Sequence, residues 1–191
     1  MKKFKFLLLS ACIALVACTT KTSSEQQVSD KGTKWSWDKG TIVVETPERP
    51  AEQTSVIGLT IPKMEVVRVG FVGLGMRGPG AVERFTYIPG VEIVALCDYE
   101  KERAEKCQKY LQRASMPKAA IYSGEKGYEE LCKRDDIDLV YIATDWLHHF
   151  PVAMCAMENN KNVAIEVPSA MDLKECWALV DRKSTRLNSS H

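Results

Sequence analysis

The sequence lacks the clusters of histidine and cysteine that hold structural metal ions. It has three histidines, and its seven cysteines are dispersed without a C-x-x-C pair. Structural zinc needs several such ligands at short spacings, so we expect no metal site. The cysteines that follow the N-terminal region lie in apolar helical or strand patterns, which predicts small core residues: Cys97, Cys107, Cys132, Cys155 and Cys176.

The sequence also lacks an excess of positive charge. Of its 26 basic and 25 acidic residues, six basic residues and one acidic residue lie in the two end segments. Residues 18–180 therefore keep 20 basic and 24 acidic side chains. A domain with this acidic balance and no basic stripe is not expected to bind nucleic acid.

Residues 1–17 have the pattern of an export signal. Three lysines precede the apolar run Phe6–Ala17, which is too short to span a bilayer comfortably. The run ends in LVAC and resembles a bacterial lipoprotein signal, in which the cysteine, here Cys18, carries the lipid through a thioether. An ordinary secretory signal is the alternative. We expect an exported lipoprotein of the cell envelope, and Thr19 carries no inner-membrane retention signal, which favours the outer membrane.

The C-terminal segment, residues 181–191, matches the in-frame translation of a common sequencing adapter at every position. A natural polar tail is the alternative. We therefore expect the natural protein to continue beyond Val180, so that this chain is a fragment that is inactive alone.

Residues 18–65 are predicted to form a tether and an N-terminal arm. The stretch from Thr19 to about Asp30 is rich in Ser, Thr, Gln and Lys, which is typical of a flexible tether. The stretches Trp35–Trp37 and Thr41–Val44 have a more ordered character.

Residues 66–180 alternate between strand and helix patterns. Strands are predicted at Val66–Val72, Val91–Cys97, Ala119–Tyr122, Asp138–Thr144 and Asn162–Val167. Helices are predicted from a glycine loop to about Phe85, at Glu100–Arg113 and Glu125–Arg134, from a first turn containing Pro151 to about Asn159, and after Asp172. This alternation indicates an α/β, Rossmann-type doubly wound parallel sheet. A second, substrate-binding domain is expected to be missing through truncation.

The last of these helices has a start signal of its own. Asp172 and Glu175 resemble a capping box. The residues predicted to form its buried stripe are Leu173, Cys176, Trp177 and Val180, and we expect the adapter-like segment to interrupt the helix there.

The stretch GFVGLGMRGPG, Gly70–Gly80, has the glycine spacing of a dinucleotide-binding loop between a strand and a helix. Gly73 permits the tight turn, Gly75 lets the backbone approach a pyrophosphate, and Gly78 lets the helix pack close to the strand. The N–H groups at the helix start then face the phosphates. The alternative is a structural glycine turn.

Other residues are placed to complete such a site. Asp98 ends the second strand, where its carboxylate would accept hydrogen bonds from the hydroxyls of the adenosine ribose. It would repel a 2′-phosphate, so NAD is favoured over NADP. The loop also holds Met76 and Arg77, and Arg77 is expected either along the pyrophosphate or adenosine or on the surface. Ligands in open α/β sheets lie beyond the carboxyl ends of strands. Further candidates there are Trp146, Leu147, His148, His149 and Glu166, each histidine being alternatively a surface residue at a helix start.

These segments resemble the Gfo/Idh/MocA family of oxidoreductases. Most members have Glu-Lys-Pro where this chain has Glu166-Val167-Pro168, and in the dehydrogenases the lysine helps to hold the nicotinamide and the reacting hydroxyl. Val167 therefore argues against ordinary dehydrogenase chemistry. The stretches VRVGFVGLGMRGPGAVERF and VAIEVPSAMDLKECWALV resemble glycoside hydrolase family 109, NAD-dependent α-N-acetylgalactosaminidases in which this valine is usual.

The resemblance implies a specific activity. Bound NAD would oxidise the sugar at C3, elimination and water addition would follow, and reduction would restore the cofactor. It implies cofactor contacts from Met76, Arg77, Asp98, Trp146, Leu147, His148, His149, Glu166 and Val167. The family's catalytic tyrosine and histidine lie downstream, so no catalytic residue is assigned here. Expected partners are a glycan with terminal α-N-acetylgalactosamine, the membrane through the lipid and, as an option, a second copy of the chain.

Two alternatives stay open at this point. One is a sugar or polyol dehydrogenase of the same family. The other is an exported sugar-binding or assembly protein that retains NAD structurally.

Overall fold

A computed structural model describes residues 26–28, 34–45 and 60–188, with side chains up to residue 181. The predicted export signal and Cys18 lie outside the described residues, so both stay predictions. The chain divides into two compact units, residues 1–45 and 46–191, which are treated separately below. Within the described ranges, none of the helices combines the length and apolar character that membrane crossing requires.

The first unit contains a three-stranded antiparallel sheet. Its strands are β1 (Gln27–Val28), β2 (Lys34–Asp38) and β3 (Thr41–Val44), in that order across the sheet. The turn between β2 and β3 is Lys39–Gly40, where both residues have positive φ, as a two-residue hairpin of the right twist requires. The ordered character predicted for the tryptophan and valine stretches is confirmed as β2 and β3.

The second unit is the predicted parallel α/β domain. Its strands are β4 (Val67–Val72), β5 (Val91–Asp98), β6 (Ala120–Ser123), β7 (Leu139–Ile142) and β8 (Asn162–Ile165). They form one parallel sheet in the order β6-β5-β4-β7-β8. The strand order reverses between β4 and β7, and this switch point is where ligands bind in doubly wound sheets.

Helices cover both faces of this sheet. They are α1 (Gly78–Phe85), α2 (Lys101–Arg113), α3 (Gly127–Cys132), α4 (Trp146–Glu158) and α5 (Leu173–Asn188). One buried cluster joins β4 and β5 to α1 and α2 through residues such as Phe71 and Leu111. A second cluster packs α3 and α4 on the opposite face through Val72 and Val152. The adjacent residues Phe71 and Val72 thus pack on opposite faces of the sheet, because successive side chains of a strand point to opposite faces.

The helix after β7 begins earlier than predicted. Asp145 caps α4 by accepting a hydrogen bond from the Leu147 N–H at 3.0 Å, and Pro151 lies inside the helix rather than in its first turn. The proline lacks the N–H that would bond to the Leu147 carbonyl, but the aspartate cap fixes the start one turn upstream. The predicted first-turn position of Pro151 was therefore wrong.

The last helix begins as predicted, but its end and its buried face differ from the prediction. The Glu175 N–H donates to Asp172 Oδ1 at 2.9 Å, which confirms the predicted N-cap. The helix continues through Asn188 instead of stopping at Val180, since arginine, lysine and leucine in this stretch favour helix. Cys176 is exposed, and its predicted stripe is at most half-buried, because the helix packs on the core through Leu179.

A two-pronged ion pair clamps the amino end of the sheet. The Arg68 Nε and Nη2 donate to the Asp138 carboxylate at 2.9 and 2.8 Å, and the Arg68 backbone N–H donates to it at 2.9 Å. Asp138 is 12% exposed. Hydrogen bonds from Arg68 hold the pKa of the Asp138 carboxyl below its ordinary value, against the opposing effect of burial.

We expect Asp138→Asn to lower the free energy of unfolding at pH 7 by about 1–3 kcal/mol, because charge-assisted bonds to Arg68 are lost. A carboxyl with a depressed folded pKa contributes stability above its unfolded pKa of about 3.9 and loses it as pH falls through the folded value. The difference between variant and parent should therefore shrink in acid, as urea titrations at several pH values would measure. The exposed neighbour Asp135, changed to Asn, is the control and should have little effect. An Asp138→Asn penalty that persists undiminished near pH 2 would contradict the assignment.

Candidate cofactor site

The glycine loop connects β4 to α1 at the switch point of the sheet. Gly73 has φ +92°, and a Cβ there would lie 2.5 Å from backbone atoms of Ala143 and Thr144. A Cβ on Gly78 would overlap the Gly73 carbonyl oxygen. A Cβ on Gly75 would meet only the Arg103 guanidinium, at 3.8 Å, so this face of the loop is open. Gly73 and Gly78 thus have the tight-turn and close-packing roles that their spacing predicts, and the approach of a pyrophosphate at Gly75 stays a prediction.

A cleft of about 620 Å³ opens beside this loop. Its lining comes from the carboxyl ends of four neighbouring strands and includes Gly75, Asp98, Gly124, Thr144 and His148. The first turn of α1 has no side-chain cap, and its Pro79 has no N–H. The remaining first-turn N–H groups are thus available to an anion. The open face of Gly75 and this uncapped turn fit a dinucleotide pyrophosphate.

Asp98 is one of the carboxylates that line the cleft, and it is 6% exposed. Its Oδ2 accepts the Leu74 N–H at 2.6 Å, and its Oδ1 accepts the Glu100 N–H at 2.9 Å. The side chain therefore ties the glycine loop to the end of β5. A carboxylate has about four acceptor positions, so capacity is left for the ribose hydroxyl that the sequence predicts.

Arg103 is a cleft residue that sequence reasoning missed. It lies in the first turn of α2, and its Nη1 is 3.4 Å from Asp98 Oδ1. The signal available in the sequence was a cation five residues after the strand-ending aspartate, which is where an α2 side chain can fold back over the cleft.

The start of α4 contributes a polar pair to the cleft. His148 Nδ1 lies 2.6 Å from Asp145 Oδ2, and both residues line the cleft. Trp146 and Leu147 are 60% and 68% exposed. The predicted Trp-Leu-His segment is thus at the correct edge of the sheet, and its contacts with a cofactor stay predictions.

His149 has a different environment from its neighbour. It is 1% exposed, and its Nδ1 lies 2.7 Å from the Pro168 carbonyl oxygen. A carbonyl only accepts, so Nδ1 carries the proton. Within the described part of the chain, the buried Nε2 has no hydrogen-bond partner. This geometry favours support of the loop after β8, and direct contact with the cofactor stays a prediction.

Glu166 is held in place at the end of β8. The Tyr141 hydroxyl donates to Glu166 Oε1 at 2.6 Å, and the Tyr141 ring lies against Phe71 and Phe85 with centroid distances of 5.2 Å. Burial, followed by the bond to Glu166, raises the pKa of the Tyr141 hydroxyl. The next residue, Val167, is 83% exposed.

Two residues of the loop itself are open to solvent. Met76 is 91% exposed and Arg77 is exposed, with its backbone at the N-cap position of α1. Their backbone is therefore adjacent to the uncapped turn. Among the described residues, no group of three or more potential metal ligands occurs.

Comparison with known proteins agrees with this geometry. Residues 67–188 match the profile of the oxidoreductase family with an NAD-binding Rossmann fold, Gfo/Idh/MocA. The chain belongs to the Gfo/Idh/MocA family. It is an NAD-binding domain of that family, as the glycine loop and Asp98 predicted.

Relatives within the family are more specific. A glycosyl hydrolase family 109 protein of Phocaeicola vulgatus is 73% identical over 95% of this chain, and one of Bacteroides thetaiotaomicron is 56% identical over 93%. The chain spans 35% and 37% of these relatives' lengths. Among solved structures, myo-inositol dehydrogenase of Lactobacillus casei, in complex with NAD(H) and myo-inositol, is similar with a TM-score of 0.55 and 28% identity. That match covers 63% of this chain and 34% of the dehydrogenase.

Proposed function

We propose that this Gfo/Idh/MocA domain serves a glycosidase that hydrolyses α-N-acetylgalactosaminides with enzyme-bound NAD. The observation that carries the proposal is the 73% identity, over nearly the whole chain, to a relative named as a family 109 glycosyl hydrolase. The segment after β8 supports it. An exposed valine at position 167 has no group that can donate or accept a proton, so it cannot hold a reacting hydroxyl as a lysine would.

The residues of this chain have binding and orienting roles in the proposal. The glycine loop and the first turn of α1 hold the pyrophosphate, Asp98 accepts a ribose hydroxyl, and Tyr141 orients the Glu166 carboxylate for the second ribose. Bound NAD would supply a reversible hydride acceptor. Because the hydride is returned to the sugar, NAD is unchanged after net hydrolysis. No residue of this chain is assigned as the acid or base that acts on the sugar.

We expect the full-length protein to release the aryl alcohol from an aryl α-N-acetylgalactosaminide without net change in NADH absorbance. The reason is that the proposed cycle returns its hydride to the sugar in every turnover. Product release is measured by the colour of the aryl alcohol, and the matched β-glycoside is the control. Hydrolysis of another sugar in the absence of any release from this substrate would refute the substrate assignment.

A sugar or polyol dehydrogenase is the second candidate, and the similarity to an inositol dehydrogenase favours it. It predicts that a free sugar or polyol yields one NADH per molecule oxidised. Accumulation of NADH in that assay, with no release from the aryl glycoside, would decide for the dehydrogenase.

A further inference from the structure

A positively charged groove of about 420 Å³ adjoins the cofactor cleft. One wall is the glycine loop and the start of α1, and the other wall is α2, which contributes Arg103, Lys106 and Lys109. Within the part of the chain that the structure describes, no carboxylate lines this groove. An anion in this groove would therefore face several cationic side chains and the open face of Gly75.

Arg103 is common to the groove and the cleft. Its side chain is 54% exposed, and its contact with Asp98 is longer than the two that Asp98 accepts from backbone N–H groups. Of the three groups that donate to Asp98 within the described residues, Arg103 is the one side chain, so it can move without disturbing the loop. The Asp98–Arg103 contact thus lies where the cofactor cleft meets the cationic groove.

Asp98 in this contact is at the position of the carboxylate that distinguishes NAD from NADP. A carboxylate at the end of the second strand accepts the 2′-hydroxyl of NAD and repels the 2′-phosphate of NADP, whereas a nearby arginine accommodates that phosphate. Here both groups are present, and the arginine is backed by two lysines. We propose that Arg103 is a specificity-determining residue which directs the 2′-phosphate of NADP into the cationic groove and so gives the protein a second, weaker affinity for NADP. This inference does not depend on the glycosidase proposal.

The first test compares the dissociation constants of NAD and NADP, measured by calorimetry on the full chain. Arg103→Ala should raise the Kd of NADP about tenfold, the usual value of a charge-assisted bond to phosphate, and that of NAD by less than about threefold. The control is Lys101→Ala, which removes a charge from the same helix outside the groove and should leave the ratio of the two constants unchanged. Equal weakening of both cofactors, or no change in either, would overturn the proposal.

The second test uses Asp98→Asn, which removes the repelling charge. NADP should bind this variant more tightly than it binds the parent, and the double variant D98N/R103A should lose that gain. Lower ionic strength should enlarge the effect, because the groove is exposed to solvent. NADP binding to the Asp98→Asn variant that is independent of Arg103 would show that the groove plays no part.

Discussion

Replacing Gly73 with alanine is expected to lower the free energy of unfolding by about 3 kcal/mol or more and to weaken NAD binding at least about tenfold. Two effects add at this position. The backbone has φ +92°, which a side chain rarely adopts, and the new Cβ would lie 2.5 Å from the backbone of Ala143 and Thr144. Those atoms belong to the segment that lines the cleft, so relief of the overlap displaces the binding site itself.

The matched control for stability is Gly124→Ala. Gly124 has φ +79°, and a Cβ there would meet nothing within 4 Å, so this variant isolates the backbone strain from the overlap. Its cost should be about 1–2 kcal/mol. Urea unfolding measures both variants, and calorimetry measures the affinity of the Gly73 variant for NAD. If the two alanines cost the same, the close approach of the loop to Ala143 is not important for stability.

The fold could be predicted from the sequence because its signals are local and agree with one another. Five apolar strand patterns alternate with helix patterns, and each strand was found within a few residues of its predicted position. The start of α4 was missed because a proline is a stronger signal in the sequence than an aspartate cap, whereas in the structure the Asp145 carboxylate decides it. The exposure of Cys176 depends on which face of α5 meets the core, a tertiary property that the helical period alone does not determine.

Some parts of the site could be predicted from the sequence and others could not. The positions of the glycines and Asp98 follow from the strand and loop patterns, because the backbone sets where they lie. Arg103 and Tyr141 act through long side chains that reach across from other elements, and a sequence does not show such contacts. Adjacent residues His148 and His149 have opposite environments, one 60% exposed and one 1% exposed, because successive helical residues turn to different sides.

Asp98→Ala is expected to have the second large effect, a loss of about 2–4 kcal/mol in the free energy of unfolding and of about 10- to 100-fold in NAD affinity. The carboxylate accepts two backbone N–H groups, those of Leu74 and Glu100, and both lose their acceptor in the variant. The affinity falls for a separate reason, since the ribose hydroxyl loses a charged acceptor. Chemical denaturation and calorimetry measure the two losses independently.

Two further variants separate these roles. Asp98→Asn keeps one acceptor oxygen, so it should retain about half of the stability that alanine loses, while NAD affinity stays reduced because the charge is gone. Glu125→Gln removes the charge of another carboxylate in the same cleft and should change NAD affinity by less than about threefold. If Asp98→Ala destabilises the protein but leaves NAD affinity intact, Asp98 is only a clamp for the glycine loop. If affinity falls while stability is unchanged, the hydrogen bonds to Leu74 and Glu100 contribute little to folding.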